Sequence, residues 1–314
     1  MRRVTVVGGG VIGLSIAAEL ARAGNAVTVV ADRSATDSVS AVAAAVWFPY
    51  RAGTSPAVPT WLARSLVRFA ELAADRATGV DLREGMVVER RPGADRSWTA
   101  AVPEHREATT AELPPGALAG VRATVPVITV PTYLAWLHAR CDRLGVRYVR
   151  RTVGSVDECA ADADLVVVAA GLRSGELVDD DTLYPIRGQV VRLPNPGITE
   201  WVTDDDNPAG VTYVVSRRND VVCGGVAEVE NWDLTPDPDT EAAILRRTAA
   251  LVPALAGLPV LSRDVGLRPG RDTVRLERVE GHAVPVLACY GHGGAGVTMS
   301  WGCAEAVADL ARGS

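Results

Sequence analysis

Three glycines at a fixed spacing, Gly8-x-Gly10-x-x-Gly13, are followed by an acidic residue, Asp32, nineteen positions past the third. Each has a physical task if a dinucleotide binds here. Gly8 permits a tight turn, Gly10 lets the backbone approach a pyrophosphate, and Gly13 allows close helix–strand packing. Asp32 can accept hydrogen bonds from adenosine ribose hydroxyls. The spacing alone does not separate FAD from NAD. Arg33 would suit the 2′-phosphate of NADP, but Asp32 beside it would repel that phosphate. A second glycine-rich stretch, Gly291-His292-Gly293-Gly294-Ala295-Gly296, lies near the other end of the chain and precedes a helical pattern. A helix N-terminus there would offer positive potential to an anion. Arg268 could clasp a carboxylate through its planar fork, and Tyr213 carries a hydroxyl that could assist. By residue type alone, Arg268 reads first as a surface ion-pair arginine and Tyr213 first as a core or interface tyrosine.

These residues must be positioned by regular elements. Val4–Val7 is a short apolar run that stops at Gly8, as a buried parallel strand does. Ile12, Ile16, Leu20 and Ala23 repeat at helical spacing and Gly24-Asn25 ends the helix. Ala26–Ala31 is a second strand ending at Asp32, which completes a βαβ unit. Trp61 to Leu72 patterns as an amphipathic helix, residues 91–115 as loops and turns, and Pro131 to Leu144 as a third helix stopped by Gly145. The run from Asp164 to Gly171 reads as another central strand. From 184 to 265 the pattern changes to separated β-type runs, 188–193, 211–215 and 220–226, with one helix near 241–251. The end returns to strand 284–290, a glycine turn, and a helix carrying Met299, Cys303, Ala306 and Leu310 on one face. The expected fold is α/β, a Rossmann-like dinucleotide domain with an inserted, mostly antiparallel β-sheet domain. The expected division places residues 1–47, 126–187 and 266–314 in the first domain and 48–125 and 188–265 in the second.

Composition narrows the chemistry further. The 314 residues, 48% hydrophobic and 22% charged, are ample for a buried core. A net charge of −6 disfavours nucleic acid or an anionic membrane as partner. Every basic residue is arginine and none is lysine, which removes lysine Schiff-base enzymes and P-loop NTPases together. Five cysteines show no metal-like spacing and read as small buried residues in a reducing compartment, and four histidines form no ligand cluster, so no metal is expected. Arg2-Arg3 and the uncharged stretch to Ala18 imitate a secretory leader, but the glycines are better explained by the dinucleotide turn.

Taken together, several motifs carry a resemblance. Val11-Ile12-Gly13-Leu14-Ser15, Ala31-Asp32-Arg33, Arg187-Gly188-Gln189, Gly266-Leu267-Arg268-Pro269 and Tyr290 to Ala304 stand in one order over nearly the full chain. On these motifs the sequence resembles the D-amino-acid oxidase family of flavoproteins. The resemblance implies non-covalent FAD, with Gly8, Gly9, Gly10, Val11 and Ile12 at the pyrophosphate and Asp32 and Arg33 at the adenosine end. It implies Ala44, Ala45, Val46 and Trp47 near the isoalloxazine, the Val153 backbone at the adenine, and Gly293, Gly296, Val297 and Thr298 at the flavin pyrimidine ring. Arg268 then holds a substrate carboxylate, Tyr213 supports it, and the Gly294 carbonyl accepts from the substrate amine.

The implied reaction is hydride transfer from Cα to flavin N5, giving an imino acid that hydrolyses to a 2-oxo acid and ammonia, while oxygen becomes hydrogen peroxide. Departures from the family refine this. Ala209 replaces a second lid tyrosine, Phe48 replaces a glutamine, and Val226-Ala227-Glu228 lack the arginine of the aspartate-oxidising branch. Neutral D-amino acids are therefore expected over D-aspartate, with Arg217 and Arg218 as possible substitutes for the absent cation. A glycine or amine oxidase, or a non-catalytic nucleotide-binding protein, are the other readings. The C-terminal Ala311-Arg312-Gly313-Ser314 carries no peroxisomal Ser-Lys-Leu address. A bacterial, cytoplasmic homodimer is expected.

Overall fold

The computed structural model describes residues 1–49 and 55–313. In chain order the strands are β1 Arg3–Val7, β2 Ala26–Ala31, β3 Val80–Glu89, β4 His105–Glu107, β5 Ala119–Ile128, β6 Arg147–Arg150, β7 Leu165–Val168 and β8 Tyr184–Pro194, then β9 Trp201–Asp204, β10 Thr212–Ser216, β11 Asp220–Gly224, β12 Glu228–Val229, β13 Ser262–Gly270, β14 Arg275–Val279 and β15 Val286–Tyr290. The helices are α1 Val11–Arg22, α2 Val58–Leu72, α3 Val130–Arg143, α4 Ser174–Leu177, α5 Pro238–Leu251 and α6 Gly296–Arg312.

Two sheets organise these elements. The smaller runs β14-β15-β7-β1-β2-β6, with β15, β7, β1, β2 and β6 parallel and β14 antiparallel at the edge. Its central strands β1, β7 and β15 bury both faces, as their apolar runs require. Val4, Val6, Leu165, Val167 and Leu287 face the layer of α1, α2, α3 and α6, while Val7, Val166, Val168 and Ala288 face the other side. The larger sheet is antiparallel except for β3 beside β9. Its strand β8 is flanked along one edge by β13 and along the other by β11 and β12.

The helix stops fall at the glycines that the sequence marks. Gly24 and Gly145 take φ of 87° and 78°, and the Val146 N–H reaches back to the Cys141 carbonyl at 3.0 Å. Three differences from the sequence reading have physical causes. Strand β14 is an addition, because its Arg275-Leu-Glu-Arg-Val pattern is that of a charged edge strand rather than a buried one. The 91–115 stretch contains short β4 and a single turn, 97–101, that buries Trp98. Positions 126, 188 and 266, taken as domain limits, fall inside β5, β8 and β13, each of which pairs within the larger sheet on both sides of that position. Within the 48–125 stretch, α2 packs on α6 of the dinucleotide layer. The Gly302 N–H donates to Ser65 Oγ at 2.8 Å, and a Cβ on Gly302 would lie 2.1 Å from the Trp61 carbonyl oxygen.

Candidate active site

The turn from β1 into α1 has the shape its glycines require. Gly8 adopts φ of 126°, and a Cβ there would lie 2.2 Å from the Ala169 carbonyl oxygen. A Cβ on Gly13 would lie 1.9 Å from the Gly8 carbonyl oxygen, so α1 rests directly on the turn. Gly10 occupies the N-cap with no side chain of its own to cap the helix, and α1 has no acidic residue in its first turn. Ser40 approaches from the next loop, its Oγ accepting from the Val11 N–H at 3.1 Å. The N-terminus of α6, at Gly296, likewise lacks a side-chain cap and an acidic first turn. Both helix ends open onto one cavity of about 630 Å³ between the two sheets.

That cavity gathers the sequence-derived residues. Gly8, Gly9, Gly10, Val11, Ile12, Asp32, Arg33, Ala44, Ala45, Val46, Val153, Gly293, Gly296, Val297 and Thr298 line it, together with Tyr213, Arg268 and Gly294. Trp47 is not among the lining residues: it is 1% exposed and packs into the core beside them. Val46 bridges Val127 and takes the cavity side, and the Trp47 N–H donates to the Pro126 carbonyl at 2.8 Å, so alternation turns the indole away. Ala45 holds φ of 56°, a left-handed conformation in a residue with a Cβ. Asp32 is engaged by the Arg33 guanidinium at 2.8 Å, and that hydrogen bond holds its carboxyl below the usual range.

Around Arg268 and Tyr213, the large sheet is cut away to make room. A Cβ on Gly188 would lie 2.3 Å from Arg268 Nη2, and Cβ atoms on Gly224 and Gly225 would lie 2.1 and 2.8 Å from the Tyr213 ring. Arg268 donates to the Val226 carbonyl at 3.1 Å and forms no ion pair with any described carboxylate. The residues flanking Gly188 fix the neighbouring segment. Arg187 donates to the carbonyls of Asp233 and Thr235 at 2.8 and 2.7 Å, and Gln189 exchanges hydrogen bonds with the Asp237 backbone. Phe48 lines the cavity and meets Trp98 edge-to-face with centroids 5.5 Å apart. Ala209 sits in a closed β9–β10 connection, where Asn207 donates to Asp204 and accepts from the Ala209 N–H.

Arg217 and Arg218 lie outside the lining. Arg217 is 1% exposed and bound to Asp220, and Arg218 is paired with Asp81 at 2.8 Å. Several lining residues carried no sequence signal. Besides Ser40 they include Arg173, which donates to the Val153 carbonyl at 3.1 Å, and Arg151, which pairs with Glu158. Asp205, Trp232 and Leu234 also face the cavity. Only the position of Arg173 just after the Ala170-Gly171 turn could have marked it.

A strand–turn–helix cradle, an acid at the end of the second strand and a second uncapped helix facing the same cavity define a dinucleotide-binding oxidoreductase. The residues fit FAD: the backbone of the cradle is cleared of Cβ atoms, and both helix ends leave N–H groups for anionic oxygens. Residues 3–310 match the DAO family model, FAD-dependent oxidoreductase, and the chain belongs to this FAD-dependent family. It is 48% identical to a D-amino-acid oxidase of Rubrobacter xylanophilus, over 98% of this chain and 95% of the relative. It is 43% identical to a D-amino-acid oxidase of Streptomyces coelicolor (98% and 96%) and 32% identical to human D-aspartate oxidase (98% and 94%). In shape it is similar to a glycine oxidase from Geobacillus kaustophilus, with a TM-score of 0.83 at 19% identity over 100% of this chain and 96% of that one. An L-proline dehydrogenase from P. horikoshii matches equally, at 0.83 and 18% identity over 100% and 94%. Among the described residues, no helix is long and apolar enough to cross a membrane.

Proposed function

We propose that this chain oxidises neutral D-amino acids to 2-imino acids, which water hydrolyses to 2-oxo acids and ammonia, while dioxygen is reduced to hydrogen peroxide. One observation carries the reading: Arg268 projects into the cavity with no described carboxylate paired to it, in a space that Gly188 vacates. Bound in the glycine cradle, FAD supplies the hydride acceptor and the route of electrons to dioxygen. The chain's own residues bind and orient. Gly8, Gly9, Gly10, Val11 and Ile12 offer backbone to the pyrophosphate; Asp32, Arg33 and Val153 stand at the adenosine end. Ala44, Ala45 and Val46 line the path of the ring system, and Gly293, Gly296, Val297 and Thr298 present the α6 N-terminus, which favours negative charge.

Arg268 binds the substrate carboxylate through two parallel hydrogen bonds, and the Tyr213 hydroxyl supports it. The Gly294 carbonyl accepts from the amine, which fixes the third point of a chiral centre. Phe48, Val226 and Val215 give the side chain an apolar surround. The resemblance to human D-aspartate oxidase supports a second reading, but the lining disfavours it. Arg217 and Arg218 are tied up elsewhere, and Asp205 adds negative charge to the lining. A second carboxylate left unpaired among these apolar groups would cost several kcal/mol. The likeness to glycine oxidase is one of shape. The five cysteines are buried and free, which accords with a reducing cytoplasm, and a homodimer follows from the family resemblance.

A peroxide-coupled assay over D- and L-amino acids tests the proposal. D-valine and D-alanine should release peroxide and their L-enantiomers should not. Turnover of glycine or D-aspartate in preference to them would overturn it.

A further inference from the structure

Cys289, His292 and Cys303 meet behind the wall of the cavity. Cys289 lies in β15, His292 immediately precedes the 293–296 turn, and Cys303 stands near the middle of α6. Their two sulfurs and an imidazole nitrogen all lie within 4.8 Å of one another, with Cys289 Sγ 4.0 Å from His292 Nε2. Both cysteines are fully buried and the histidine is 3% exposed, yet Cys289 and His292 contribute to the cavity lining. Packing alone would be served by any small apolar side chains at these positions. The hydrogen bond with Cys303, opposed by burial and helped by His292, draws the Cys289 thiol below the usual thiol range, while burial pushes the Cys303 thiol up. Cys289, which reaches the cavity lining beside His292, is placed as the nucleophile, and Cys303, behind it, as the resolving thiol.

We propose that Cys289 and Cys303 form a reversible dithiol–disulfide pair that closes under hydrogen peroxide and ties β15 to α6 across the 293–296 turn. In the first step the Cys289 thiolate attacks a peroxide oxygen and the O–O bond breaks. This gives Cys289 sulfenic acid and a hydroxide, which takes up a proton as water. In the second, the Cys303 sulfur attacks the sulfenic sulfur, the S–S bond forms and the S–O bond breaks. The departing hydroxyl leaves as water with the Cys303 proton. Two electrons pass from the two thiols to one peroxide. His292 Nε2, 4.0 Å from Cys289 Sγ, stands beside the sulfur that attacks. The site would meet peroxide wherever the proposed oxidase reaction releases it into the cavity. That link rests on the proposed function, whereas closure under added peroxide does not.

The test uses the full chain and hydrogen peroxide added in small excess without any amino acid. Thiols are counted after denaturation, and disulfide-linked peptides are mapped by mass spectrometry. The expected result is a fall from five titratable thiols to three, a Cys289–Cys303 peptide, and return to five with dithiothreitol. In Cys303→Ser the sulfenic acid at Cys289 should persist and react with dimedone, with no disulfide formed. The proposal is overturned if all five thiols survive peroxide, if other cysteines link, or if the purified chain holds one zinc ion on this trio in place of free thiols.

Discussion

A Cβ on Gly188 of β8 would lie 2.3 Å from the guanidinium of Arg268 on β13, so the two residues share one space. In the antiparallel register Gly188 faces Gly266 and Arg268 faces Ile186, which sends the arginine diagonally across the bare backbone of Gly188. Gly188→Ala should therefore displace Arg268 without touching the flavin cradle. A loss of about 1.4 kcal/mol, or roughly tenfold in kcat/KM, is expected, seen mainly as a raised KM. Steady-state kinetics on D-alanine with flavin content measured in parallel would check it.

Removing the fork itself should cost more. Arg268→Ala is expected to lose about 3 kcal/mol of carboxylate binding, over a hundredfold in kcat/KM, because a bidentate charge-assisted contact disappears. Arg268→Lys should recover only part of this, since an ammonium cannot reproduce two parallel hydrogen bonds. An unchanged KM in Arg268→Ala would refute the assigned role.

The cradle offers a separate test. A Cβ at position 13 would meet the Gly8 carbonyl oxygen at 1.9 Å, and both partners are backbone that cannot rotate away. Gly13→Ala should cost about 3 kcal/mol of stability and release flavin on gel filtration. Calorimetry and the 450 nm absorbance of the eluted protein would report the two effects separately.

Asp180 ties β14, β15 and the connection after β13 together, accepting from the Tyr290 hydroxyl at 2.8 Å, Arg275 at 3.1 Å and Arg271 at 3.2 Å. Burial pushes its carboxyl up, but hydrogen bonds from Thr182 and Tyr290 and the charge of Arg271 prevail and hold it below the usual carboxylate range. A depressed folded value means that its stabilisation is complete above about pH 4, the unfolded value, and fades as pH falls below it. Asp180→Asn should destabilise the protein by about 2 kcal/mol at pH 7, with the gap to wild type narrowing below pH 4. Denaturant unfolding at pH 7, 5 and 3.5 would show this.

How far the sequence discloses the site depends on whether a requirement is local. The Gly8–Gly13 turn and the 293–296 turn are readable because each closes an apolar run and opens a helical one within a few residues. The order of motifs carries the family and the location of Arg268 and Tyr213. The reasons for Gly188, Gly224 and Gly225 are not readable, because the side chains that exclude a Cβ arrive from neighbouring strands. Trp47 shows the same limit. Its neighbours face the cavity, and only the pairing of Val46 with Val127 decides that the indole does not. The convergence of Cys289, His292 and Cys303 depends equally on how α6 docks beside β15.

On the proposed function, the two glycine turns hold one flavin and Arg268 pins a carboxylate within the same cavity. A difference-absorbance titration of the FAD-loaded protein with benzoate, a carboxylate that cannot be oxidised, reads both at once. Wild type should show a saturable perturbation of the flavin bands, and Arg268→Ala, with equal flavin content, should need at least a hundredfold more benzoate. Equal affinity in the two proteins, or a wild-type chain that takes up no FAD, would contradict the account.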